Sequence, residues 1–196
     1  MKISAVLLAG GESRRMGREK ATLIFRGKPL WQIQLDLLQR LQLDEIFVSA
    51  RSDLSWRPAT VQLVSDEPPS RGPLSGLAAA LGEIRTGHLL ALAVDMPLMT
   101  AKYLRSLCDQ IETGRGVLPM VGDRAEPLAA IYPKSVHADF VAALSGTEFS
   151  LQSITKKLAA FGKLRRVEVI KRDEELFRNL NELSEVRLIM DRANYT

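Results

Sequence analysis

The sequence predicts an α/β fold, a three-layer sandwich around a mostly parallel central sheet. Three observations carry this. Short, near-continuously apolar runs alternate with segments whose apolar residues recur at helical spacing. Uninterrupted apolar runs are what strands look like when helices cover both faces of a parallel sheet. The chain has 196 residues, 46% of them hydrophobic and 26% charged. That suits one globular domain over 1–196, large enough to bury about 70% of its unfolded surface.

The elements follow in order. The apolar run over 3–9 stops at Gly10-Gly11 and reads as a buried strand. After Pro29, the stripe Leu30, Ile33, Leu37, Leu38 and Leu41 reads as a helix. Strands are predicted over 46–49 and 61–64, followed by a Pro/Gly-rich loop over 67–73. Ser75 is placed to cap a helix carrying Leu77, Leu81 and Ile84. The run over 89–94, the most apolar strand, ends in Asp95-Met96-Pro97. Thr100 then opens a helix with Leu104, Leu107, Cys108 and Ile111 on one face. Strands over 117–120 and 128–132 precede a helix over 136–144, and Leu151, Ile154, Leu158 and Phe161 form a further stripe. A late strand over 164–169 and a terminal helix over 183–190 complete the pattern.

Composition excludes several classes. The single Cys108 forms no disulfide within the chain. The N-terminal apolar run is of strand length, shorter than a secretory signal requires, and no stretch reaches the roughly 20 apolar residues of a membrane span. The expectation is a soluble, cytoplasmic protein. Net charge is +4, but residues 12–28 and residues 163–172 each carry a local excess of +4. Such local excesses suit an anionic ligand better than a nucleic-acid coat, and with aromatics at 6% no aromatic residues interleave a basic face. The 163–172 cluster reads as a solvated strand-and-turn face. His88 and His137 read as surface or strand-edge residues, Cys108 as core, and Trp31 and Trp56 as packing residues.

In folds of this class the ligand sits outside the carboxyl ends of the strands. The segment LAGGESRRMGREK at 8–20 follows the first strand. Its two glycines let the backbone turn sharply and bring N–H groups close to an anion. Arg14, Arg15 and Lys20 supply positive charge for phosphate oxygens. The spacing is neither that of a P-loop nor that of a dinucleotide-binding G-x-G-x-x-G turn. Asp95, at a strand end, either caps the following turn or holds a hard divalent cation such as Mg²⁺, which takes one or two carboxylates plus phosphate oxygens. A phosphate loop nearby favours the cation. Asp66 either makes a turn or positions a base or ribose at the pocket rim.

LAGGESRRMGREK, together with GKPL at 27–30, resembles the nucleotidyltransferase superfamily of Rossmann-like pyrophosphorylases. Within it the chain resembles the molybdenum cofactor guanylyltransferase family. Asp66 with GPLSG at 72–76, VDMP at 94–97, EPLAAIY at 126–132 and Asn179-Leu-Asn181 look like that family's later motifs. The resemblance implies a Rossmann-like sandwich of the nucleotide-diphospho-sugar transferase type and transfer of GMP from GTP to molybdopterin with release of pyrophosphate. It implies that Leu8, Ala9, Gly10 and Gly11 contact guanine and phosphates through backbone groups. Lys20 would reach the triphosphate, Arg15 would stand as the loop arginine, and Asp66 would contact the nucleoside. Asp95 would bind Mg²⁺, and Asn179 and Asn181 would lie near the metal or the pterin. It further implies a monomer that meets cofactor-biosynthesis or acceptor proteins transiently.

The chain departs from the family pattern in three places. Glu182-Leu183 stands where Thr-Pro is usual, Arg51 where an Asn is frequent, and Glu19 where Asp precedes the lysine. The competing readings are a cytidylyltransferase or other nucleotidyltransferase acting on a different phosphorylated acceptor, or a nucleotide-binding relative without turnover.

Overall fold

The computed structural model describes residues 2–10, 19–65, 70–147 and 149–180. It contains β1 (Ile3–Leu8), a hairpin of β2 (Ile24–Phe25) and β3 (Lys28–Pro29), α1 (Leu30–Gln39), β4 (Glu45–Ala50), β5 (Gln62–Ser65) and α2 (Pro73–Glu83). There follow β6 (His88–Ala93), α3 (Ala101–Cys108), β7 (Gly116–Val121), β8 (Arg124–Ala125) and β9 (Ile131–Pro133). The chain closes with α4 (His137–Leu144), α5 (Leu151–Ala160) and β10 (Leu164–Glu168). Short 3-10 turns span Lys20–Thr22, Pro127–Ala129, Lys134–Val136 and Lys171–Phe177.

The main sheet runs β10-β7-β9-β6-β1-β4-β5, with β8 paired to β7. β1 pairs in parallel with both β4 and β6, β4 with β5, and β10 with β7. Only β9 and the short β8 run against the rest. The sandwich is therefore three-layered and mostly parallel, as the apolar runs predict. The segment around 128–132 holds the main deviation: Leu128 sits in a 3-10 turn, and β9 is antiparallel and three residues long.

Alternation along each strand sorts the core into two layers. On one face Ile3, Ala5, Leu7, Leu90 and Leu92 pack with Leu30, Leu35 and Leu38 of α1 and Leu104 and Leu107 of α3. On the other, Val6, Leu8, Leu89 and Ala91 pack with Leu74, Leu77 and Leu81 of α2, Phe140 of α4 and Leu158 of α5. β1 is buried along its whole length because both its faces are covered. Tyr132 is wholly buried, donates its hydroxyl to the Pro127 carbonyl at 2.7 Å and meets Phe140 edge-on.

Several local expectations are corrected. α2 begins at Pro73 after Gly72, which holds φ at +66°, so Ser75 lies inside the helix; its Oγ accepts from the Arg71 N–H at 2.8 Å instead. Phe161 falls past the end of α5 and is exposed rather than part of the apolar stripe. His88 is buried at the start of β6, and burial holds its imidazole below the usual range. Trp31 and Trp56 do pack, stacked on each other with ring centroids 5.2 Å apart. The basic residues of 163–172 lie along β10 and its flanks, with ion pairs Lys163–Asp139, Arg165–Glu112 and Lys171–Glu174. Thr100 caps α3, its hydroxyl accepting from the Tyr103 N–H. The helix predicted over 183–190 lies outside the described residues. Among the described residues no helix is long and apolar enough to cross a membrane.

Candidate functional site

The chain leaves β1 toward β4 and β5 and returns through α2 to β6 on the other side of β1. This reversal of strand order opens a crevice outside the carboxyl ends of β1 and β6. Leu8 faces Ala93 in register there, and the Val94 N–H donates to the Leu8 carbonyl at 3.2 Å. Asp95, two residues past the end of β6, thus stands beside the segment that leaves β1.

Lys20 reaches into the same place from the 3-10 turn that opens with it. Its Nζ donates to Asp95 Oδ2 at 2.9 Å, with both side chains largely but not wholly covered. The turn carrying Asp95 is fixed on both sides. The Asp95 carbonyl accepts from the Leu180 N–H at 2.8 Å, and the Met96 carbonyl from the Gln34 side-chain amide at 2.6 Å. Leu180 is wholly buried, so the late segment is pinned against this turn and Asn179 arrives beside it. Asn179 Oδ1 is buried and has no hydrogen-bond partner among the described residues. The Asp95 carboxylate and the side-chain oxygen of Asn179, the residue before the Leu180 that bonds the Asp95 carbonyl, are hard oxygen donors of the kind Mg²⁺ takes together with phosphate oxygens.

At the end of β1 the chain turns under two bonds, the N–H groups of Ala9 and Gly10 both donating to the Ser49 carbonyl at 3.1 Å. Those two donors are committed to β4. The first turn of α2 presses onto the same edge: a Cβ on Gly76 would stand 2.2 Å from Ser49 Oγ and 2.9 Å from Leu8 Cδ2. This close approach and the left-handed Gly72 explain why GPLSG carries its two glycines.

The structure therefore brings Leu8, Ala9, Gly10, Lys20, Asp95 and Asn179 to one crevice. Gly11, Arg15, Asp66 and Asn181 lie outside the described residues. Arg51 follows β4 directly and is exposed. The EPLAAIY motif is tied to the sheet: Glu126 is buried, its N–H donates to the Pro119 carbonyl, and burial pushes its carboxyl above the usual range against the weaker pull of Arg124. Gln34 is a residue the sequence reading missed. Its signal was a polar side chain among Leu30, Ile33, Leu37 and Leu38 on the inner face of α1.

A mostly parallel sheet with a lysine–carboxylate pair at its switch point and a close-packed glycine beside it is the α/β architecture of nucleotide-binding domains. Residues 5–167 match the sequence model of the MobA-like NTP transferase domain, and the chain belongs to that family. It is 35% identical over 176 residues to a probable molybdenum cofactor guanylyltransferase of Opitutus terrae, covering 88% of this chain and 86% of that one. It is 32% identical over 181 residues to the molybdenum cofactor guanylyltransferase of Syntrophotalea carbinolica, covering 91% and 86%. Its fold is that of the molybdopterin-guanine dinucleotide biosynthesis protein A of Archaeoglobus fulgidus, with a TM-score of 0.77 at 21% identity over 99% of this chain and 100% of that one.

Proposed function

We propose that this chain transfers GMP from GTP to molybdopterin and releases pyrophosphate. The observation that carries the reading is the Lys20–Asp95 pair at the carboxyl ends of β1 and β6, in a chain with guanylyltransferase relatives along most of its length. A terminal phosphate oxygen of molybdopterin attacks the α-phosphorus of GTP in line, and the bond to the bridging oxygen of pyrophosphate breaks. Two anions must meet, so the work of the protein is positioning and charge neutralisation. No protein nucleophile is required.

On this reading the Lys20 ammonium neutralises triphosphate oxygens, and Asp95 and Asn179 are the residues that would hold Mg²⁺. The bound ion would draw charge from the phosphoryl oxygens as a Lewis acid. Leu180 and Gln34 fix the Asp95 turn, so its carboxylate is preorganised.

Thermal unfolding with Mg²⁺ and each of GTP, CTP, ATP and UTP tests the reading. A ligand at about 100 times its dissociation constant adds about 2.7 kcal/mol, which raises the midpoint of a domain this size by roughly 5–10 °C. The expected result is a shift with GTP alone, followed by pyrophosphate release when molybdopterin is added. A shift with CTP alone moves the chain to the cytidylyltransferases. Binding of GTP without pyrophosphate release leaves a nucleotide-binding relative without turnover.

A further inference from the structure

The guanidinium of Arg71 lies over the ring of Phe149, with its Cζ 4.3 Å from the ring centroid. The two residues belong to different parts of the ligand edge. Arg71 immediately precedes Gly72 and α2, and Gly76 presses against Leu8 and Ser49 at the strand ends. Arg71, five positions earlier, therefore stands beyond the carboxyl edge of the sheet. Phe149 immediately precedes the Ser150 cap of α5, which leads into β10. β10 runs parallel to β7 and hence to β1, so the start of α5 lies at the same edge.

Arg71 is thus drawn away from the β1–β4 side, on which the first turn of α2 packs, toward the half of the edge built on β7, β9 and β10. It is an exposed side chain, and among the described residues it has no carboxylate partner. Its backbone is fixed by the Ser75 hydroxyl. An aromatic face under a guanidinium restrains its plane while leaving the N–H groups along its edge available to a phosphate. On the guanylyltransferase reading, the reaction brings a second anion to the ligand edge besides the triphosphate.

We propose that Arg71, seated on Phe149, binds the terminal phosphate monoester of the acceptor and so sets acceptor affinity. This rests on the guanylyltransferase reading above. Steady-state kinetics of the purified full chain with GTP and molybdopterin test it, using Arg71→Ala, Arg71→Lys and Phe149→Leu.

Loss of a charge-assisted bond to phosphate predicts an acceptor KM raised about tenfold or more in Arg71→Ala, with the KM for GTP within about twofold of wild type. Arg71→Lys keeps the charge without the planar face and falls between the two. Phe149→Leu raises the acceptor KM about threefold by freeing the guanidinium. If Arg71 only staples α2 to the α4–α5 connection, Arg71→Ala lowers the melting temperature and raises both KM values together, which overturns the proposal. An acceptor KM within twofold of wild type in Arg71→Ala also overturns it, and leaves the guanylyltransferase reading standing. Absence of transfer by the wild-type chain overturns that reading and this proposal together.

Discussion

Lys20 and Asp95, 75 positions apart in the chain, meet at 2.9 Å in the crevice between β1 and β6. The pair is partly open to solvent, with side-chain exposures of 22% and 16%. A pair of this kind contributes little to stability. The proposed function gives it a role in the reaction instead. Lys20→Ala and Asp95→Ala are each expected to lower the rate of GMP transfer by about a hundredfold or more, while the melting temperature moves by less than about 3 °C. Pyrophosphate release and thermal melting on the same preparations check this. A near-normal rate in either variant removes that residue from the mechanism.

Gln34 is wholly buried, donates its amide to the Met96 carbonyl at 2.6 Å and leaves its own Oε1 without a partner among the described residues. The Met96 carbonyl also accepts from the Met99 N–H at 3.1 Å, so it stays satisfied without Gln34. Gln34→Leu removes an unpaired acceptor and one bond together. Stability should therefore change by less than about 1 kcal/mol, but the Asp95 turn loses one of its anchors and kcat should fall several-fold. Gln34→Glu buries a charge facing a carbonyl and should lower the melting temperature by roughly 10 °C. An unchanged kcat in a well-folded Gln34→Leu would show that Leu180 alone suffices to hold the turn.

The layers were legible because burial on both faces writes itself into uninterrupted apolar runs such as that of β6, and the crevice because ligands collect where such strands end. Lys20 and Asp95 could be named, but their meeting could not, since it depends on the strand order. β9 escaped for a related reason: a short strand's direction leaves no trace in its apolar pattern. Ser75 has the right side chain for a cap, yet the helix starts two residues earlier, because Gly72 reaches a positive φ and Pro73 suits the first helical position. Phe161 kept the helical spacing but is the residue just past the end of α5, where the chain turns into Gly162 at φ +72° and the periodicity no longer describes it. The Arg71–Phe149 contact joins two loops across the edge, and no local pattern encodes it.

Gly76 tests how closely α2 must sit on the site. An added Cβ would meet Ser49 Oγ at 2.2 Å, Leu8 Cδ2 at 2.9 Å and Ser49 Cβ at 3.1 Å. The serine hydroxyl can rotate away, but the Ser49 Cβ and the Leu8 side chain remain in contact range. Gly76→Ala is expected to destabilise the domain by about 1–3 kcal/mol, lowering the melting temperature by roughly 2–10 °C. It should also weaken GTP binding, because the strand ends it displaces carry the glycine turn. Wild-type melting and wild-type GTP affinity together would show that α2 tolerates a wider seat.

Glu126 gives the pH dependence of stability. Burial raises its pKa above the ordinary 4.5, and the exposed Arg124, 3.5 Å away, only partly offsets this. The folded chain therefore holds the Glu126 proton more tightly than the unfolded chain does. Below the unfolded value both states are protonated and the residue costs nothing. As pH rises from 4.5 through the higher folded value, the buried carboxyl must ionise at a cost, and the wild type loses stability relative to a variant with no charge to bury. Glu126→Gln should accordingly melt above wild type at pH 7–8, by a few degrees, with the difference shrinking as the pH is lowered and closing below 4.5. Paired melting curves across pH 4–8 measure this directly. A difference that grows toward acid would mean that the ionised Glu126 is the stabilised form and that Arg124, not burial, governs the group.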